Sequence, residues 1–303
     1  MIEFKRIKAS DKKQYEECLS SAGERGCETS FANLYLWGRQ NIAFLFGQAI
    51  IFSQFDRRSV YPYPVGAGDK KAALDAIIAD AAERGISCRI TGLNSEAIKE
   101  IEKLYPSKFR FHCDRGSFDY VYDINDLADL KGKKYQKKRN HFNRFCANDP
   151  QYRTEAISKA NIEAVVSFVD AWYKKRAEDD PEADFIMEKA ALSKALRDYV
   201  ELGLEGLALF SFGEIVAMTL GSRMSSDAFD VHFEKARADV EGAYTTINCE
   251  FARYIREKYP DVKFLNREED MGIEGLRKAK QSYYPHHMVE KCWAHLSEDG
   301  YEY

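Results

Sequence analysis

Two stretches of like design decide how this chain is read: NIAFLFGQAIIFSQF at residues 41–55 and GLALFSFGEIVAMTL at residues 206–220. In each, two apolar runs flank a short turn, 42–46 and 49–55 around Gly47-Gln48, then 206–212 and 215–220 around Gly213-Glu214. A glycine heading a two-residue loop supplies the left-handed backbone that a tight hairpin needs. Outward from the first hairpin, the pattern predicts a strand at 2–7 and helices at 11–21 and 31–37 before it. After it come an extended segment at 60–65, an Ala-rich helix at 70–84, a strand at 86–91, a helix at 94–105 and strands at 109–113 and 118–124. Outward from the second, the pattern predicts a strand at 152–157 and helices from 162 and over 188–200 before it. A strand at 228–234, a helix at 243–258, a strand at 262–265, a short basic helix and a last strand at 288–293 follow. One order of elements thus occurs twice, which implies a tandem α/β fold. The expected division is an N-terminal domain over 1–124, a basic connecting helix over 125–150 and a C-terminal domain over 151–303.

With 303 residues, 45% of them hydrophobic, the chain can bury two ordinary cores. Its net charge of -4 gives no general attraction to nucleic acid or an anionic membrane, so such a partner must be met by a local patch. The seven cysteines are an odd number, lie far apart and form no C-x-x-C pair. That argues against a disulfide framework or a zinc site and for reduced thiols in a cytoplasmic protein. No segment reads as a signal peptide or a bilayer span, so contact with lipid is expected to be peripheral.

The twofold order is the one used by the GNAT (acyl-CoA N-acyltransferase-like) fold, and the wording of the chain narrows this resemblance. KGKKYQKKRNHFNRF at 131–145, HFEKARADVEGAYTTIN at 232–248 and NREEDMGIEGLRKAKQSYYP at 266–285 resemble the C-terminal domain of phosphatidylglycerol lysyltransferases, in particular its soluble uncharacterised branch. FANLYLW at 31–37 and YPYPVG at 61–66 extend the likeness into the first half. The lysyltransferases and the related Fem aminoacyl-tRNA-dependent transferases end with a helix reading roughly F-K-x-x-F-x-P. Here Ala279-Lys280-Gln281-Ser282-Tyr283-Tyr284-Pro285 keeps the Lys, an aromatic and the Pro, with Ala279 in place of the first Phe. The resemblance implies two tandem GNAT domains, each a mixed sheet flanked by helices, with the site carried by the second in the groove between them. It also implies that Lys280 places or neutralises an anionic substrate group.

The chemistry implied is transfer of an aminoacyl group from aminoacyl-tRNA to a hydroxyl or amine of a lipid headgroup or small molecule. No cofactor is required beyond that co-substrate. Two other readings stay open: acyl-CoA-dependent N-acyl transfer, with coenzyme A thioester as donor, and a non-catalytic GNAT-fold binding protein. Acyl transfer passes through a tetrahedral oxyanion, which needs positioned donors more than a covalent nucleophile. Lys280 and Arg277, three apart on one helix face, can supply cationic donors, or can be ordinary exposed helix charge. Tyr283 or Tyr284 can protonate a leaving oxygen or sulfur, or pack. His232 and Glu234, two apart on a strand and so expected on one face, are the candidate general bases.

For donor binding, the loop through Arg237 and Gly242 leads to the helix start at Ala243 and Tyr244, whose amides can cradle phosphate, with Asn248 one turn on. The glycine-rich signature of acetyl-CoA-dependent GNAT enzymes is absent. Between Lys131 and Arg144 lie seven cations and no acid. Of these, Lys133, Lys134, Lys137, Lys138 and Arg139, together with Asn140 and Arg267, are candidates for holding a tRNA or an anionic headgroup. The alternative is a solvated connecting helix. The acidic run Glu268-Glu269-Asp270 lacks metal-ligand spacing and reads as a loop pairing with nearby Arg267, Arg277 or Lys278, so no metal is expected.

Overall fold

The computed structural model describes residues 1–21, 23, 25–55, 58–181 and 185–297. The first half runs β1 (Lys5–Arg6), α1 (Lys12–Leu19), α2 (Phe31–Leu36), β2 (Gln40–Leu45), β3 (Gln48–Phe55), β4 (Arg58–Pro62), α3 (Lys70–Arg84), β5 (Arg89–Leu93), α4 (Ser95–Leu104) and β6 (Phe109–Cys113). It continues through β7 (Asp119–Asp123), α5 (Ile124–Asp129), α6 (Gln136–Asn148), β8 (Arg153–Ala156), α7 (Ile162–Asp179), α8 (Ile186–Arg197), β9 (Glu205–Ser211), β10 (Glu214–Arg223) and β11 (Ala228–Ala236). The chain closes with α9 (Ala243–Lys258), β12 (Phe264–Asn266), α10 (Glu274–Gln281), β13 (His287–Val289) and β14 (Cys292–Leu296).

Local chemistry accounts for many of these boundaries. Asp69 and Asn94 accept from the amides of Ala72 and Ala97 and so cap α3 and α4, while Gly85 ends α3 in the left-handed conformation. The two hairpins form, one residue earlier than glycine placement suggests. Their loops are Phe46-Gly47 and Phe212-Gly213, both residues at positive φ (56° and 68°, 49° and 84°). That is the type I′ arrangement, whose twist matches the flanking strands, with glycine at the second central position.

Two seven-stranded mixed sheets result, ordered β1-β2-β3-β4-β5-β14-β6 and β8-β9-β10-β11-β12-β7-β13. The duplicated order is therefore real, but the seventh strands are exchanged. β7, which follows the first half in sequence, lies beside β12, and β14 lies between β5 and β6. Accordingly the chain divides into a first unit of Met1–Asp119, Glu269–Glu274 and the segment from Met288, and a second of Tyr120–Glu268 and Gly275–His287. Boundaries at 124/125 and 150/151 are thus replaced by strand exchange. The single expected strand at 288–293 is two strands in different sheets.

The first unit's core is built on Ile50, Phe52, Tyr61, Leu74, Ile77, Ile90 and Ile101. Within it Cys113 and Cys292, paired across β6 and β14, form a disulfide with Cα atoms 4.3 Å apart. The expectation of seven free thiols is corrected here, because a separation of 179 residues hides the pairing from the sequence. Cys18, Cys27, Cys88, Cys146 and Cys249 are not in disulfides.

The basic segment is no linker. α5 and α6 belong to the second unit, where Leu130, Tyr135 and Cys249 share a buried cluster with Phe142 against it. α6 also lies on the start of α9. Gly242 there has φ 85°, and a Cβ added to it would stand 2.4 Å from the His141 carbonyl oxygen and 3.0 Å from Phe145 Cβ. Gly242→Ala is therefore expected to cost on the order of 2 kcal/mol through backbone strain and overpacking, read as a lower denaturation midpoint by circular dichroism in urea.

Candidate active site

The site region of the second unit begins where two parallel strands part. β11 and β12 pair only from Ala228↔Phe264 to Asp230↔Asn266. Just beyond, the register of β11 against β10 jumps from Gly221↔Val231 to Leu220↔Phe233, which leaves His232 as an extra residue. Such a bulge reverses the alternation of side chains downstream of it. Phe229, before the bulge, meets Phe251 of α9 edge to face, and Glu234, after it, also reaches α9, at Asn248. His232 shares its side with Asp230 instead. The expectation that His232 and Glu234 face one way is overturned by that single inserted residue.

Two polar groups result. In one, His232 Nε2 is 2.8 Å from Ser222 Oγ, and His232 Nδ1 is 3.4 Å from Glu268 Oε1 and 3.5 Å from Asp230 Oδ2. In the other, the Glu234 carboxylate accepts from Arg267 Nη2 at 2.8 Å and from Asn248 Nδ2 at 3.2 Å. The Arg267 guanidinium lies 5.0 Å from the Tyr283 ring and 5.7 Å from the Tyr122 ring. Burial alone would depress this guanidinium, but Glu234 with Tyr122 and Tyr283 holds it above its ordinary value. Its Nη1 is buried and has no hydrogen-bond partner, and the same is true of Asn248 Oδ1. Lys138 of α6 places its ammonium 3.7 Å from the centre of the Tyr283 ring. Burial, and then the charge of Arg267, bring Lys138 down to about 8, against the pull of Glu234.

Lys280 faces this group from beneath. Its ammonium donates to the Arg267 carbonyl and lies 3.4 Å from the Glu268 carbonyl oxygen, so it braces the backbone that carries Arg267. The end of α10 is fixed in turn by two buried tyrosines that sequence reasoning passed over. Tyr122 donates to the Lys280 carbonyl at 2.8 Å and Tyr135 to the Tyr283 carbonyl at 2.9 Å. Tyr283 is buried with its phenol on Thr245, which burial raises in pKa, whereas Tyr284 is exposed. Arg277 lies on the same helix, half-buried.

The remaining candidates disperse. Arg237 is engaged by Glu214 and Asp239 at the surface. Ala243 is buried and Tyr244 exposed at the start of α9, which α6 covers at Gly242. In the basic strip, Lys134 pairs with Asp126, while Arg139 donates to the carbonyls of Leu130 and Gly132 and closes the end of α5. Lys133, Lys137 and Asn140 are exposed, and only Lys138 turns to Tyr283 and Arg267. Of the acidic run, Glu269 pairs with Lys291 and Asp270 with Arg115, both in the first unit, and Glu268 reaches His232.

Comparison with known proteins identifies the family. The family model for the C-terminal region of phosphatidylglycerol lysyltransferase matches residues 20–295. The chain belongs to that family. A conserved protein of unknown function from Bacteroides thetaiotaomicron is 38% identical with a TM-score of 0.93, over 98% of this chain and 100% of that one. Two further structures share the fold of this lysyltransferase-family chain. They are L-PGS from Bacillus licheniformis (TM-score 0.68, 17% identity, 93% of this chain and 91% of that one) and FemX (0.61, 11%, 98% of each). The tandem GNAT architecture expected from the order of elements is the one observed. An uncharacterised protein of Mycoplasmoides gallisepticum is 23% identical over 206 residues, 67% of this chain, and the chain spans 62% of that relative's length. Among the described residues no helix is long and apolar enough to cross a membrane.

The depressed Lys138 pKa has a checkable sign. Between about 8 and the ordinary lysine value the unfolded chain holds the proton that the folded chain has released, so this group's contribution to stability rises with pH across that window. NMR titration of 13C-methylated lysines is expected to show two resonances with midpoints near 8, those of Lys138 and Lys70, and Arg267→Gln is expected to move only the Lys138 midpoint upward.

Proposed function

We propose that this chain is an aminoacyltransferase that takes its aminoacyl group from aminoacyl-tRNA and works through the Glu234, Arg267 and Lys138 group of the second unit. The observation that carries the reading is Arg267. Its Nη2 holds the Glu234 carboxylate at 2.8 Å while its Nη1, buried and unpartnered, remains a donor for a further oxygen. In the proposed reaction the acceptor's hydroxyl or amine attacks the ester carbonyl of the aminoacyl-tRNA, and Glu234 takes the acceptor's proton. Arg267 Nη1 and the Lys138 ammonium stabilise the oxyanion, whose collapse breaks the ester bond. The tRNA 3′-oxygen leaves and receives a proton, so acceptor and tRNA hydroxyl exchange places with no covalent enzyme intermediate. Lys280 acts as a positioning residue, through the Arg267 carbonyl that its ammonium binds.

Two features favour this donor over a coenzyme A thioester. The sequence lacks the glycine-rich phosphate loop, and α6 lies across the start of α9 at Gly242. The family's name, phosphatidylglycerol lysyltransferase, makes lysyl-tRNA and a phosphatidylglycerol headgroup the first pair to try.

The test uses purified full-length protein with radiolabelled lysyl-tRNA and phosphatidylglycerol vesicles, following label lost from tRNA and gained by lipid. Glu234→Gln is expected to lower transfer about 10²–10⁴-fold, the range of a general base, and Arg267→Gln to lower it comparably. Turnover of acetyl-CoA with no discharge of any aminoacyl-tRNA would overturn the proposal, as would full activity in both variants.

A further inference from the structure

The buried charged atoms that lack a hydrogen-bond partner do not all belong to the site above. Nε and Nη1 of Arg25 and both carboxylate oxygens of Glu28 are of this kind, and they lie in the first unit. Buried charges left in this state are costly, which makes them informative.

Their position is the first unit's own parting of parallel strands. β4 and β5 pair at Tyr61↔Ile90 and Pro62↔Thr91, and Tyr63 N donates to the Thr91 carbonyl at 2.8 Å. The Arg25 guanidinium lies 5.3 Å from the centre of the Tyr63 ring. Glu28 Oε1 lies 2.6 Å from where a Cβ on Gly92 would stand, so the missing side chain at Gly92 makes room for the carboxylate. Tyr63 and Gly92 sit on strands about 4.8 Å apart. Continuing the register places Tyr63 opposite Gly92, so the guanidinium on the Tyr63 ring and the carboxylate at Gly92 belong to one face of the sheet.

Each charge has surroundings that suit an incoming opposite. Lys70 lies over the same Tyr63 ring at 4.8 Å, with its ammonium donating to Gln48 Oε1 and the Pro64 carbonyl, both uncharged acceptors. Burial, opposed by Glu100 and aided by Arg25, brings Lys70 down to about 8. Two cations on one ring repel; the Glu100 carboxylate, which accepts from the Tyr63 phenol at 2.5 Å, offsets this in part, and a further anion would relieve the rest. Around Glu28, whose pKa burial raises, the nearest ammonium is Lys291 at 3.4 Å. That ammonium lies nearer Asp119 at 2.7 Å and Glu269 at 2.9 Å. It also sits 3.4 Å from Cys27 Sγ, so the trio Cys27, Asp119 and Glu269 encloses an ammonium.

We infer that the first unit binds a free α-amino acid here, its carboxylate received by Arg25 and Lys70 and its ammonium by Glu28. The inference rests on residues of the first unit alone, and it does not depend on the transfer reaction proposed above.

Isothermal titration of the full-length protein against each of the twenty α-amino acids tests this, with the N-acetyl and carboxamide forms of any that bind. At least one amino acid is expected to bind, and blocking either its ammonium or its carboxylate is expected to abolish binding. Arg25→Gln and Glu28→Gln are each expected to weaken binding at least about tenfold, the loss of one charge-assisted hydrogen bond. Arg267→Gln is expected to leave it unchanged. Arg25→Lys, which keeps the charge, guards against misfolding and should bind more tightly than Arg25→Gln, with the far-ultraviolet spectrum of each variant compared with the parent. Absence of binding by all twenty, equal affinity for the blocked forms, full affinity in both Gln variants, or loss only in Arg267→Gln would overturn the inference.

Discussion

The structure of the second unit turns on one inserted residue in a strand. Three residue pairs join β11 to β12, and His232 then breaks the ladder against β10. Without it, Glu234 would point away from α9, and its contacts with Asn248 and Arg267 would be lost. The bulge thus sorts the polar residues, with Asp230, His232 and Ser222 on one side and Glu234 with Arg267 on the other. A carboxylate held by a buried arginine is dear in desolvation, and it persists because the surrounding tyrosines and Asn248 fix its geometry.

The same arrangement fixes Lys280 between α10 and the segment after β12. Its ammonium is engaged by main-chain carbonyls just after β12, and its own carbonyl is held by Tyr122. Sequence comparison weights such a lysine as chemistry. In the fold it is a brace between a helix and the segment that carries Arg267.

Periodicity made most of the fold legible. α3 and α9 are where the Ala-rich run and the apolar spacing put them, and the two hairpins disclose the duplication. Three things were beyond local pattern. Strand exchange joins residues far apart in sequence, so β7 and β14 read as closing the halves they follow. The Cys113–Cys292 bond spans the same distance. The bulge at His232 leaves no mark in a strand whose residues are apolar and polar by turns. For the site, Glu234, Tyr283, Asn248, Lys138 and Arg267 were on the page as residue types, and the structure brings these five together. Tyr122 and Tyr135 went unnoticed because a buried tyrosine donating to a carbonyl looks, in sequence, like any core aromatic.

The exchanged strands also set an order of events during synthesis. Elements that close early in the sequence normally fold as they leave the ribosome. Here β5 and β6 flank a vacancy that Cys292–Leu296 fills, so the first sheet stays incomplete until residues 292–296 have been made. The second sheet, by contrast, has its borrowed strand β7 waiting before β8 appears. Before the last strands are made the second sheet lacks only its edge strand β13, whereas the first lacks an interior strand and so presents two open strand edges.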